Sequence, residues 1–146
     1  MKRSERLERL LKIRRHERDK ASSAMQRAES DAGAAESAAR AARERRGDAE
    51  RQALAAGGRP QSAQEFLSGR FEVLELIDRE RLQDIRERRM QRALALRRID
   101  LTHALVREEQ IRHLDATERR RRQAEDIRSE QKALDDLRLE GGDPLW

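Results

Sequence analysis

The chain has no cysteine and no tyrosine, and its 146 residues include only two phenylalanines, one tryptophan and two prolines. Without cysteine there is no disulfide, no thiolate chemistry and no zinc knuckle. Aromatics make up 2% of the chain, and alanine is the commonest member of the hydrophobic 36%, which argues against a thick globular core. Long apolar runs are also missing: the N-terminal stretch MKRSERLERLLKIRRHERDK never stays apolar long enough for a signal peptide, and no segment has the length to span a bilayer. The expectation is a soluble, cytoplasmic protein without membrane insertion.

Charge and helix-forming residues are abundant. Charged side chains account for 43%, with 34 basic against 29 acidic residues and a net charge of +5. High charge with few aromatics also fits disorder, but disordered chains are rich in Pro, Gly and Ser. Here the bulk is Ala, Arg, Glu, Leu and Gln, all strong helix formers. Such a composition points to long helices or a coiled coil.

Alternating steps of four and three from Leu7 trace a seam through Leu11, Arg14, Arg18, Ala21, Met25, Ala28, Ala32, Ala35, Ala39, Ala42, Arg46, Ala49, Ala53 and Ala56. Apolar residues hold all but three of these positions, and the exceptions are arginines whose stems can lie along a seam while the head reaches water. Gly57 and Gly58 then occupy a helix C-cap, Pro60 follows, and Ser62 with Glu65 forms a capping box. So short a connection folds the second helix back on the first. The predicted architecture is all-α: a single-domain two-helix antiparallel coiled-coil hairpin, with helix one over about 5–56, a turn over 57–62, a longer helix two over about 63–139 and a tail over 140–146.

The second helix scores poorly against a strict seven-residue apolar repeat. Leu67, Phe71, Leu74, Leu82, Ile85, Leu96, Ile99 and Val106 make one row, while Leu94, Leu101, Leu105, Ile111 and Leu114 make an offset one. Either the seam drifts around the helix or two faces are used. Phe66 and Phe71 are also placed to anchor the seam near the turn. Acid-before-base pairs at i,i+4 (Glu5/Arg9, Glu8/Lys12, Glu36/Arg40, Asp84/Arg88, Glu108/Arg112, Asp115/Arg119, Glu118/Arg122) support exposed helices by a few tenths of a kcal/mol each. With the turn centred near residue 59, residue i of helix one faces about 118 − i. Helix one is then exhausted near residue 114, leaving 115–139 as an overhang. The run Arg119, Arg120, Arg121 and Arg122 would sit in it, wetted on all sides, as a bare cationic tip.

Nothing in this layout suits catalysis. No glycine precedes a Gly-Lys-Ser/Thr triplet, so there is no phosphate loop. His16, His103 and His113 lack ligand spacing, and Glu108–Glu109 and Asp135–Asp136 diverge around the helix rather than share a cleft. No catalytic residue, cofactor or metal is expected. An arginine-rich coiled coil that binds nucleic acid is one alternative, through residues 119–122 with Arg86, Arg88, Arg89 and Arg92. Interspersed acids and the shortage of stacking aromatics weigh against it. A structural homodimer, two hairpins pairing through the offset row, is another.

The basic N-terminus LERLLKIRRHERDKA, the Ala-spaced first helix, the mid-chain turn and a second helix opening QEFLSGRFEVLELI together resemble the type III secretion stalk family. That family comprises the flagellar export protein FliJ and its YscO-type injectisome counterparts. The resemblance covers nearly the whole chain in length, layout and pattern. It implies a non-enzymatic hairpin, peripheral to a membrane-embedded secretion apparatus. Its terminal end would enter the hexameric export ATPase while the hairpin also engages the export gate and export chaperones. Carried over here, the ATPase-facing residues are Arg6, Arg9, Arg14 and Arg15 with Arg119, Arg120, Arg121 and Arg122. The gate-facing ones are Phe66, Leu67, Phe71 and Leu74. The lack of tyrosine, and alanine on the facing stretch of helix one, depart from the flagellar pattern.

Overall fold

A computed structural model describes residues 2–59 and 61–141. They form two helices, α1 (Arg3–Gly57, 55 residues) and α2 (Ala63–Gly141, 79 residues), packed as an antiparallel hairpin with no strand among the described residues. The expected hairpin with a longer second helix is therefore what forms. The bounds agree with expectation to within two residues at each end. Pro60 and residues 142–146, expected in the turn and the tail, lie outside the described residues.

Local chemistry explains the bounds. Ser62 caps α2: its Oγ accepts the Glu65 backbone N–H at 3.2 Å, and the Ser62 carbonyl accepts the Phe66 N–H at 3.1 Å. The other end differs from expectation. No described glycine has positive φ, so α1 does not stop on a left-handed Gly cap. It tightens instead into an i→i+3 turn in which the Arg59 N–H donates to the Ala56 carbonyl at 3.0 Å.

The contacts divide into two units: residues 21–101, which contain the turn, and residues 1–20 with 102–146, which contain both termini. Along α1 the expected seam is buried or half-buried at every position except Ala53. In the turn-containing unit its centre is alanine, with Ala32, Ala35 and Ala39 buried and Ala39 fully so at 0% exposure. In the terminal unit the seam of α1 is Leu7 and Leu11, with Arg14 and Arg18 half-buried beside them.

On α2 the seam does not drift. In the turn-containing unit the shielded positions of α2 are Gly69, Val73, Leu76, Ile77, Glu80, Gln83, Asp84, Glu87, Met90, Leu94 and Leu101. In the terminal unit they are Ala104, Glu108, Ile111, Asp115, Ala116, Glu118 and Arg122. In both sets most positions follow the same alternation of four and three, a heptad in which polar residues hold many of the positions; Ile77, Asp84 and Ala116 flank that row, and Arg97 on it is exposed. Of the offset row, Leu94, Leu101 and Ile111 are shielded, whereas Leu105 and Leu114 are exposed. Leu82, Ile85, Leu96, Ile99 and Val106 are exposed. A scan for apolar repeats fails here because the packed positions are partly carboxylates.

Candidate partner-binding surfaces

The polar seam positions pair across the hairpin. In the terminal unit Arg18 donates to Glu108 at 2.8 Å, and Arg112 reaches the same oxygen from the next turn of α2 at 2.6 Å. Arg15 adds a third cation at 4.0 Å. Glu108 is only 2% exposed, and three arginines offset the cost of burying its charge. In the turn-containing unit Arg46 donates to Glu80, and Arg43 bridges Asp84 and Glu87 at 3.0 Å each.

These pairs also hold the guanidinium protons. The pKa of Arg46 is raised chiefly by its hydrogen bond to Glu80 and that of Arg43 by its bond to Asp84. That of Arg18 is raised first by Asp19, then by the field of Glu108 acting against partial desolvation.

The pairs overturn the expected register. Arg18 was expected opposite residue 100 and Arg46 opposite residue 72; their partners are Glu108 and Glu80, eight residues further along α2 in both units. Part of this offset is geometric. Side chains lean towards the N-terminus of their own helix, so in an antiparallel pair the tips of Arg and Glu meet although their backbones are staggered by a few residues. The rest arises because α1 continues to Gly57 and the connection runs on to Ser62, which moves the turn centre past residue 59.

The consequence falls on residues 119–122. Helix one reaches Glu118 through Arg3 at 3.8 Å, and Asp115 and Glu118 are buried. Asp115 accepts Arg119 at 3.0 Å; Glu118 accepts Arg121 at 2.9 Å and lies 3.7 Å from Arg122. The arginine run is therefore not free in an overhang: Arg122 is half-buried in the seam, and Arg119 and Arg121 are tied to seam carboxylates. Arg120 is exposed and has no ion pair among the described residues. The stretch of α2 that is exposed on every side is 123–141, not 115–139. It holds six carboxylates (Glu125, Asp126, Glu130, Asp135, Asp136, Glu140) against Arg128, Lys132 and Arg138, so the expected cationic tip is an acidic one.

Of the other residues assigned to this end, Arg6 and Arg9 are exposed, Arg14 is half-buried and bonded to Glu17 at 2.9 Å, and Arg15 turns towards Glu108. Glu108, Asp115 and Glu118 were missed as structural residues. The signal was present: stepping by three and then four from Leu94 lands on all three, at the alternating spacing that carries Arg14 and Arg18 on helix one.

At the turn, Phe66, Leu67, Phe71 and Leu74 are all exposed, so neither phenylalanine anchors the seam. Phe66 and Leu74 line an open groove with Glu50, Ala53, Leu54, Arg70 and Val73, whereas Leu67 and Phe71 do not. The Arg70 guanidinium lies 5.8 Å from the centre of the Phe66 ring, a cation–π contact that holds the ring at the groove wall. Among the described residues no cluster of His, Asp or Glu is placed to hold a metal ion, and no helix is long and apolar enough to cross a membrane. No family model, curated protein or solved structure matches this chain.

Proposed function

We propose that this chain is a non-catalytic stalk of a type III protein export apparatus. Its terminal end would enter the hexameric export ATPase and its turn-proximal apolar residues would engage the export gate, with export chaperones as further partners. One observation carries the reading: beyond its last contacts with α1, α2 continues as a bare helix over residues 123–141, roughly 28 Å at 1.5 Å per residue. A solvated helix of that length cannot fold alone into a pocket, but it can be surrounded. At its base Arg120 is exposed with no ion pair among the described residues, and Arg119 and Arg121 are exposed beside Asp115 and Glu118. Carboxylates at the pore entrance would meet these arginines only when the helix is fully seated, while the net-acidic stretch beyond them would face a basic or polar bore. At the other end, the groove beside Phe66 supplies a small apolar surface of the kind a gate domain would take.

The deciding experiment replaces Arg120, the exposed arginine of the run with no ion pair among the described residues, with alanine and measures hydrolysis by the cognate export ATPase at subsaturating stalk. Loss of about 1.4 kcal/mol of interaction would weaken the apparent affinity roughly tenfold, with far-UV helicity unchanged. Undiminished stimulation would remove the pore role.

A further inference from the structure

On the outer side of α2, opposite the seam, positions 82, 85, 89, 92, 96 and 99 repeat at alternating spacings of three and four. They read Leu82, Ile85, Arg89, Arg92, Leu96 and Ile99. The four apolar members are between 47% and 66% exposed among the described residues, with Leu82 at the edge of a groove it shares with Ala38, Ala41 and Ala42 of α1. The charge around them is one-sided. Residues 81–99 include seven arginines and only two carboxylates, Asp84 and Glu87, and both of these face α1 and pair with Arg43. Arg97 pairs with Asp100 and Arg98 approaches Glu29, but Arg81, Arg86, Arg88, Arg89 and Arg92 have no ion pair among the described residues. All five lie on or beside the apolar row. An exposed apolar stripe rimmed by one sign of charge marks a surface that takes an amphipathic helix of the other sign.

The chain itself carries such a helix. Residues 123–141 are exposed on all sides, hold twice as many carboxylates as cations, and place Ala124, Ile127, Gln131 and Leu134 at the same spacing of three and four, with Leu137 one step on. We propose that residues 123–141 of one copy dock antiparallel along the 81–99 face of a second copy. The lengths agree, at roughly 27–28 Å each. In that register Leu137 and Leu134 meet Leu82 and Ile85, Glu130 meets Arg89, and Asp126 reaches Arg92. A basic or neutral helix would leave the arginines facing like charge or none. A second copy satisfies both surfaces at once.

The test is light scattering and sedimentation equilibrium of the full chain at low salt. The expected mass is at least twice the 17.0 kDa of one chain, falling towards 17.0 kDa in about 1 M salt, where the Debye length shrinks to ~3 Å. Two variants identify the surfaces: Arg88→Glu with Arg89→Glu and Arg92→Glu, and separately Asp126→Lys with Glu130→Lys and Asp135→Lys. All six side chains are exposed, so circular dichroism should show both variants as helical as the parent. Each variant has like-charged docking surfaces and should be monomeric alone. Mixed in equal amounts, they present opposite charges to each other and should associate. A monomeric parent, a variant that still self-associates, or a mixture that stays at 17.0 kDa would each overturn the docking. So would a parent that stays monomeric and binds a single-stranded oligonucleotide instead, which would give the face to phosphate.

Discussion

In the turn-containing unit, α1 meets its partner with alanine: Ala32, Ala35 and Ala39 are buried although they carry nothing beyond Cβ. In the terminal unit α1 offers Leu7 and Leu11, and α2 presents Glu108, Asp115 and Glu118 at its shielded positions. In one unit α1 buries small side chains, in the other it buries large apolar ones set among buried charges. The two solutions differ in what they specify. An alanine seam buries little area, about 0.8 kcal/mol per CH₂ buried, and one alanine replaces another without penalty when the helices slide by a heptad. A carboxylate surrounded by three arginines tolerates no such slip. The terminal unit therefore sets the register most strictly, and Arg46 with Glu80 repeats the device nearer the turn.

The largest effect should come from reversing the best-buried charge. Glu108→Arg places a fourth cation among Arg15, Arg18 and Arg112 and should cost about 3–5 kcal/mol, read as loss of helical signal in denaturant. Glu108→Leu should be close to neutral, because the three arginines are partly exposed and can hydrate; an equally damaging Glu108→Leu would mean that the carboxylate supplies more than register. Next, Ala35→Leu with Ala39→Leu should overpack the alanine seam at about 1–3 kcal/mol. A rise in the thermal midpoint would instead show slack between the helices and erase the contrast between the units. The smallest effect is at the turn: Ser62→Ala removes the N-cap of α2 and should cost about 0.5–2 kcal/mol, measured by urea unfolding. No change there would mean that solvent caps α2 equally well.

Much of this hairpin was legible beforehand. The seam of α1 could be traced from Leu7 to Ala56 because apolar residues keep its period, and Ser62 with Glu65 announced the start of α2. The pairs Glu36/Arg40, Glu108/Arg112, Asp115/Arg119 and Glu118/Arg122 form as their spacing suggests. Asp84/Arg88 does not, because Arg43 from the facing helix takes the carboxylate. That substitution shows where one-dimensional reading fails: a side chain chooses between a neighbour one turn away and a partner on another helix, and only the facing register says which is nearer. The same limit hid the seam of α2, where the packed row is part charge and the more apolar row is left bare.

Composition and period by themselves determined that the chain is helical, where it turns and that the second arm is longer, because these depend on contacts within a few residues. Tertiary packing decided which arginines are spoken for, where α1 ends along α2, and that the free end is acidic rather than basic. Those outcomes depend on which charges come within about 4 Å of one another across two helices, and a shift of eight residues reassigns every one of them.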